Sequence, residues 1–219
     1  MNVEEIVILG AGGHGKVVID IVEKMGRYRI LGLVDNSPEK LGREYLGYRV
    51  IANEDGLSAL STTLALVAVG DNFSRRTFIE RVIGKAPGLN FVTAIHPSAQ
   101  IGRDVEIGAG TVIMAGATIN SGTRIGRHCI VNTQGSLDHD CILGDYSSLA
   151  PGAICGGNVT LGAGASINLG ASVIHGITIG EHAVVGAGAV VLEDVPPRVV
   201  SYGVPSRVVR ARAEGDRYL

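Results

Sequence analysis

The densest run of groups able to do acid–base chemistry is Asn132-Thr133-Gln134-Gly135-Ser136-Leu137-Asp138-His139-Asp140-Cys141. An imidazole with an ordinary pKa of about 6.5 suits a general base working near neutral pH. Carboxylates flank His139 on both sides, so one of them can hold the ring and raise its basicity. The competing reading is a histidine on a surface turn. Asn132, near the same corner, is a further candidate site residue. A second constellation lies near the N-terminus, where Gly10, Gly12 and Gly15 have the spacing of a dinucleotide fingerprint and Asp35 follows Gly15 by 20 residues. Backbone N–H groups opening a helix there can cradle a diphosphate, and Asp35 can accept hydrogen bonds from a ribose or base. A nicotinamide dehydrogenase and a nucleotide-sugar binder both use such a loop; a third reading is a close strand-to-helix turn. His14 sits inside the loop, placed to touch a ligand or to pack. His96, His128 and His182 read as turn residues.

These groups must be held by two kinds of element. Counting in sixes from Ile95 lands on a branched aliphatic residue at Ile101, Ile107, Ile113, Ile119, Ile125, Val131, Leu137, Leu143, Leu149, Leu161, Ile167, Val173, Ile179, Val185 and Val191, with Cys155 alone departing. Four places further on stand small or β-branched residues such as Thr111, Ala117, Thr123, Cys129, Cys141 and Ala153. Glycine often follows the aliphatic residue directly, as at Gly108, Gly126 and Gly144, and many of the 32 glycines fall in register with turns, where a missing side chain permits positive φ. A period of six fits neither an α-helix nor a two-faced strand. It suits short parallel strands winding into a prism, three strands and about 18 residues per coil, each coil rising about 4.8 Å. His139 then lies at a turn, with Ser121 one coil back, Gly157 one coil on and His175 two coils on. The two histidines are about 9.6 Å apart, too far for one ion held at about 2 Å by each, so no metal is expected.

The N-terminal stretch reads as strands at Ile6–Leu9, Arg29–Val34 and Leu64–Val69, with helices over about 16–25 and 74–83. This is half of a doubly wound nucleotide fold, with ligands beyond the carboxyl ends of the strands. Barely 90 residues precede the repeats, too few for a full dehydrogenase sheet. The expected organisation is a Rossmann-like domain over 1–90, the repeat domain over 91–197 closed by Pro196-Pro197, and a tail over 198–219. Arg207, Arg210, Arg212 and Arg217 of that tail are either a solvated terminus or contacts to cofactor phosphates.

Of the 219 residues 46% are hydrophobic but only 4% aromatic, with no Trp, so the core must be aliphatic. A net charge of −2 argues against nucleic acid or a polybasic membrane surface as partner. No apolar run reaches the length of a membrane span and no signal-peptide layout is present, so the expectation is a cytoplasmic protein without membrane insertion. Cys129, Cys141 and Cys155 occupy inward repeat positions and read as core residues.

Taken together, the Gly10–Gly15 loop with Asp35, Ala68-Val69-Gly70-Asp71-Asn72, Ala94-Ile95-His96-Pro97-Ser98-Ala99, Ile119-Asn120, Asn132-Thr133, Asp138-His139-Asp140-Cys141, Gly156-Gly157-Asn158-Val159 and Gly203-Val204-Pro205 resemble the bacterial hexapeptide-repeat N-acetyltransferases. Those enzymes use acetyl-CoA to modify nucleotide-linked 4-amino-4,6-dideoxy sugars in the bacillosamine and perosamine pathways; the chain is also similar to sialic acid O-acetyltransferases. The resemblance implies a left-handed parallel β-helix after the Rossmann-like domain and a homotrimer with acetyl-CoA between neighbouring subunits. It makes His139 the catalytic base, Asp140 its supporting acid and the Gly157 N–H the donor to the thioester oxyanion. Gly12, Gly13, His14, Asp35, Gly70 and Asn72 match the nucleotide-sugar side; Leu169, Ala187, Gly203, Pro205 and Arg207 match the cofactor side. Ser148 stands where many members place a second histidine near the cofactor. The expected reaction is direct attack of the sugar amine on the thioester in a ternary complex. The alternatives are a sugar O-acetyltransferase, such as one acting on sialic acid, and a non-catalytic nucleotide-sugar-binding scaffold.

Overall fold

The computed structural model of the chain describes residues 3–213, 215 and 216. It divides into two compact units, Met1–Pro97 and Ser98–Leu219. In the first unit the elements are β1 (Glu4–Leu9), α1 (Gly13–Met25), β2 (Tyr28–Val34), β3 (Glu44–Tyr45), β4 (Tyr48–Ala52), β5 (Leu64–Val67), α2 (Asn72–Lys85) and β6 (Asn90–Phe91). They form one sheet in the order β3-β4-β2-β1-β5-β6, parallel except for β3 against β4. Ile6, Val7, Ile8 and Leu9 are fully buried, as a continuous apolar run in a central parallel strand should be. Helix α1 turns Val18, Ile19, Ile21 and Val22 inward and ends at Gly26, whose φ of 62° closes it in the left-handed conformation. Asp71 caps α2, its side chain accepting the Ser74 N–H at 2.8 Å.

The sheet is wider than the expected three strands. β3 and β6 are two residues each, and β4 enters from a tight turn at Leu46-Gly47, where Leu46 takes a φ of 49° without any of the usual turn chemistry. The strand order has a consequence for function. β1 lies between β2 and β5, so the loops leaving β1 and β5 run to opposite sides and open a crevice at the strands' carboxyl ends.

The second unit is a left-handed parallel β-helix of two-residue strands. Each strand pairs in parallel with the strand 18 residues away: Val112 with Ile130, Ile130 with Ser148, Ser148 with Ser166, Ser166 with Val184. Three faces result, represented in one coil by Ile130–Val131, Ser136–Leu137 and Ile142–Leu143. The corners between them are the first (132–135), second (138–141) and third (144–147), each repeating every 18 residues. From Ile113 to Val191 every sixth residue is at most 4% exposed, and each of these side chains gains about 1.5–3 kcal/mol from burial. The small residues four places on are fully buried too, and the polar ones bond to the next coil. Thr123 Oγ1 donates to the Asp138 carbonyl at 3.1 Å, and the Cys129 thiol to that of Gly144 at 3.1 Å.

The glycines of the repeats serve two purposes. At the turns, as expected, glycine supplies positive φ, as at Gly110, Gly122 and Gly164; this conformation falls three places after each aliphatic residue, at every sixth position from Asp104 to Gly188, including Asp140 at 56°. Glycine is required directly after the aliphatic residue because the next coil passes too close. A Cβ on Gly108 would lie 2.5 Å from the Gly126 backbone, and one on Gly144 would lie 2.6 Å from that of Ala163. Beyond Pro196-Pro197 the ladder continues: Val199–Tyr202 pairs parallel with Val184–Val185, and Arg207–Ala211 folds back antiparallel on it.

Candidate active site

His139 stands on the second corner with its side chain 55% exposed, and its Nδ1 lies 2.8 Å from Asp140 Oδ2. Of the two flanking carboxylates, Asp140 is therefore the one that holds the ring. Its left-handed backbone turns its side chain back toward the imidazole. Asp138 does something else. Its Oδ1 accepts the His139 backbone N–H at 2.8 Å and the Asn120 side-chain amide, one coil below, at 2.9 Å. The hydrogen bond to Asp140, opposed by desolvation and helped by the charges of Asp138 and Asp140, raises the His139 pKa above its ordinary value. The same two donors, Asn120 first, hold the Asp138 carboxyl below its ordinary range. With Nδ1 bound to Asp140, Nε2 is left to take a proton.

Gly157 lies directly over that nitrogen. A Cβ on Gly157 would be 2.5 Å from His139 Nε2 and 2.7 Å from Cε1. Glycine at this place is what lets the ring stand where it does. The Gly157 N–H has no acceptor among the described residues, so an unused donor sits beside the imidazole. The neighbouring thiols are no nucleophiles. Cys141 and Cys155 are buried, desolvation raises both pKa values, and Cys141 donates to the Gly156 carbonyl at 3.3 Å.

The remaining solenoid candidates separate by corner. Asn132 opens the first corner, at the far end of the Ser136–Leu137 strand from His139, and its Oδ1 accepts the Thr133 N–H at 2.8 Å. The expectation that it shares the histidine's corner is corrected: six residues are one third of a coil, which carries the chain to the next corner. Leu169 and Ala187 stack one coil apart on this first corner, joined by the Gly188 N–H to the Leu169 carbonyl at 2.8 Å, and Leu169 is 56% exposed. Gly203 accepts from the Val190 N–H at 3.0 Å, and Ser206 donates to Val190 at 2.8 Å. The loop bearing Gly203, Pro205 and Arg207 therefore lies along the last strand of the same face. Ser148 is buried in the strand Ser148–Leu149 on another face, so within one subunit it does not approach His139. Arg207 and Arg210 are exposed, whereas Arg212 is buried and donates to the His182 carbonyl at 2.8 Å; it pins the tail to the solenoid and offers nothing to a phosphate. Arg217 lies outside the described residues.

In the first unit, the loop after β1 and the loop after β5 meet at the crevice. Gly10, with φ of 118°, passes so close to Ala68 that a Cβ would lie 2.8 Å from its carbonyl oxygen, and a Cβ on Gly15 would lie 2.6 Å from the Gly10 oxygen. Gly12 and Gly13 face open space at the start of α1, where the helix presents unpaired N–H groups and the positive end of its dipole. His14 is neutral at pH 7, since burial first and the Arg75 charge second lower its pKa to about 4. Asp35 is already engaged: Oδ2 accepts from Ala11 N–H and Lys40 Nζ, both at 2.8 Å, and Oδ1 from Ser37 N–H at 2.9 Å. Burial opposes ionisation of Asp35, yet the bonds from Lys40, Ser37 and Ala11 win and lower its pKa. Asp35 therefore builds the loop with most of its acceptor capacity, leaving about one lone pair for a ligand. Asn72 is also committed: it is 2% exposed and its Oδ1 accepts from Arg75 at 2.7 Å. Arg75, 1% exposed, binds the carbonyls of Val69 and Gly70 at 3.0 and 2.8 Å and thereby fixes the second loop. Lys40 and Arg75 carry no sequence motif, and only the fold reveals them.

Comparison with known proteins fits both units. Residues 5–82 match the PglD N-terminal domain. The GDP-perosamine N-acetyltransferase of Escherichia coli O157:H7 is 31% identical over 202 residues, spanning 90% of this chain and 81% of that protein. The chain belongs to the hexapeptide-repeat sugar N-acetyltransferases. Among solved members of the family, PerB from Caulobacter crescentus, in complex with CoA and GDP-perosamine, is 37% identical with a TM-score of 0.88, covering 95% of this chain and 99% of that one. The acetyltransferase domain of PglB from Neisseria gonorrhoeae, in complex with acetyl coenzyme A, is 32% identical with a TM-score of 0.86, covering 95% and 100%.

Proposed function

We propose that the protein transfers the acetyl group of acetyl-CoA to the amine of a nucleotide-diphospho-4-amino-4,6-dideoxy sugar. The observation that carries this reading is the His139–Asp140 pair at 2.8 Å, with Nε2 exposed beside the unpaired Gly157 N–H. The amine, deprotonated through Nε2, attacks the thioester carbonyl and forms the C–N bond. The carbonyl oxygen gains negative charge within reach of the Gly157 N–H, and the C–S bond then breaks to release the CoA thiolate, which takes up a proton. Asp140 stabilises the imidazolium while His139 holds the proton. Transfer is direct, because the nearby thiols are buried and protonated.

The glycine loop of the first unit takes the diphosphate, with Gly12, Gly13 and the start of α1 as donors and Gly70 on the opposite lip. The first corner, with Leu169 and Ala187, and the loop at Gly203, Pro205 and Arg207 take acetyl-CoA. Among the described residues no helix is long and apolar enough to cross a membrane, and no cluster of three or more potential metal ligands occurs. A cytoplasmic homotrimer, in which Ser148 meets the cofactor from a neighbouring subunit, completes the proposal. The test is thiol release from acetyl-CoA across UDP-, GDP- and dTDP-linked 4-amino-4,6-dideoxy sugars, with free sialic acid as control. Release with one nucleotide amino sugar supports the reading. Release with sialic acid alone favours the O-acetyltransferase, and ligand binding without release favours a scaffold.

A further inference from the structure

Two aspartates flank His139, and only one touches its ring. The second corner one coil below carries Asn120, Ser121 and Gly122, and both aspartates rest on it, Asp138 through Asn120 and Asp140 through its N–H to the Ser121 carbonyl at 3.0 Å. Asn120 Nδ2 bonds to Asp138 Oδ1 at 2.9 Å, and that same oxygen accepts the His139 N–H at 2.8 Å. A Cβ on Gly122 would collide with Asp140 Oδ1, so this glycine leaves room for the carboxylate that holds the ring. In the register of Asn120 and Asp138, the next coils carry Gly156, Ile174 and Leu192. The polar pair thus occurs only at the coil bearing the histidine and the coil beneath it. The coil above faces the ring with Gly156, Gly157 and Asn158, and the coil below with Asn120, Ser121 and Gly122. None of these titrates, so Asp138 and Asp140 are the charged groups adjoining the imidazole.

We propose that Asn120 and Asp138 are positioning residues for the catalytic base: Asn120 clamps the Asp138 carboxylate onto the His139 backbone N–H, which fixes the turn and leaves Asp140 as the sole carboxylate on the ring. Without the clamp Asp138 is free to swing and compete for Nδ1, and the imidazole then samples two orientations. The inference rests on the acetyltransferase reading for its kinetic part, but its geometric part needs no substrate.

Two measurements separate these parts. The first is the NMR titration of the His139 ring in the full chain, run on wild type, Asp138→Asn, Asp138→Ala and Asn120→Ala. Asp138→Asn keeps an acceptor for both donors and removes only the charge, so the ring pKa falls toward the ordinary histidine value while a single ring environment persists. Asp138→Ala and Asn120→Ala remove the clamp, and the ring resonance broadens or doubles. The second is the pH profile of thiol release. Asp138→Asn is expected to shift the acid limb down with kcat on the plateau within about threefold of wild type. Asn120→Ala and Asp138→Ala should lose about tenfold or more in kcat with KM for acetyl-CoA within twofold. A ring titration identical in all four proteins, or equal kinetic losses in Asp138→Asn and Asp138→Ala, would overturn the proposal. Altered ring titrations in the variants, together with a wild-type protein that releases no thiol, would overturn the acetyltransferase reading and leave the clamp standing.

Discussion

Gly157→Ala adds one methyl group to the site and leaves every proposed hydrogen-bonding group in place. The new Cβ would sit 2.5 Å from His139 Nε2 and 2.7 Å from Cε1. Ordinary heavy-atom contacts lie at about 3.5–4.0 Å, so the ring must retreat by about 1 Å. That movement takes the 2.8 Å bond to Asp140 toward or beyond the limit of about 3.2 Å and displaces the base from the amine. A misplacement of about 1 Å costs on the order of 100-fold in rate, or ~2.7 kcal/mol in the barrier. Folding should be spared. Gly157 is not among the positive-φ glycines, so alanine fits the backbone and stiffens the unfolded chain, a gain of about 0.4–1 kcal/mol that offsets the local crowding. The assay is steady-state thiol release with thermal unfolding as control, in wild-type and His139→Ala backgrounds. The expected result is a loss of about 100-fold in kcat at nearly unchanged Tm, vanishing once the ring is gone. Wild-type turnover in Gly157→Ala, or the same fractional loss in both backgrounds, would refute the argument.

Three further outcomes follow from the same geometry. Asp140→Asn removes the main cause of the raised His139 pKa; because the neutral imidazole is the proposed base, the acid limb of the pH–rate profile should move down toward about 6.5 while kcat drops, and an unmoved limb in a rate–pH series would contradict the pairing. Gly15→Ala forces a Cβ to 2.6 Å from the Gly10 carbonyl oxygen, backbone against backbone, and should destabilise the first unit by roughly 1–3 kcal/mol in a denaturant titration and weaken nucleotide-sugar binding by calorimetry. Cys155→Val restores an aliphatic residue to the inward column but adds about one methyl-sized group to a packed core, which should cost roughly 1–3 kcal/mol in a denaturant titration with little change in kcat; a large loss of turnover in the folded variant would show that the thiol takes part.

The solenoid was legible because its physics is periodic. One inward residue in six, one small residue four places later and one tight turn per repeat leave a mark in every coil, and Ile113 to Val191 point inward as counted. The glycines illustrate the limit of such counting. Position alone did not distinguish a residue that needs positive φ from one that needs no Cβ because the next coil lies against it, as at Gly108. His139 stood out as a polar interruption, but which aspartate holds it depends on the left-handed φ of Asp140, a conformation the sequence does not announce. Asn132 was misplaced because proximity along the chain is not proximity around a prism. In the first unit the glycine loop was visible, whereas Lys40 on Asp35 and Arg75 across the second loop depend on contacts that the fold alone creates. The short strands β3 and β6 carry too few residues for any pattern.

The most direct test of the central claim pairs a nucleotide-diphospho-4-amino-4,6-dideoxy sugar with its 4-hydroxy counterpart, each incubated with acetyl-CoA and either wild-type protein or His139→Ala. The account predicts thiol release with the amino sugar alone, a product whose acetyl group survives hydroxylamine as an amide does, and loss of most turnover in His139→Ala with acetyl-CoA affinity retained. Turnover of the 4-hydroxy sugar to a hydroxylamine-labile ester, or full activity without the histidine, would contradict it.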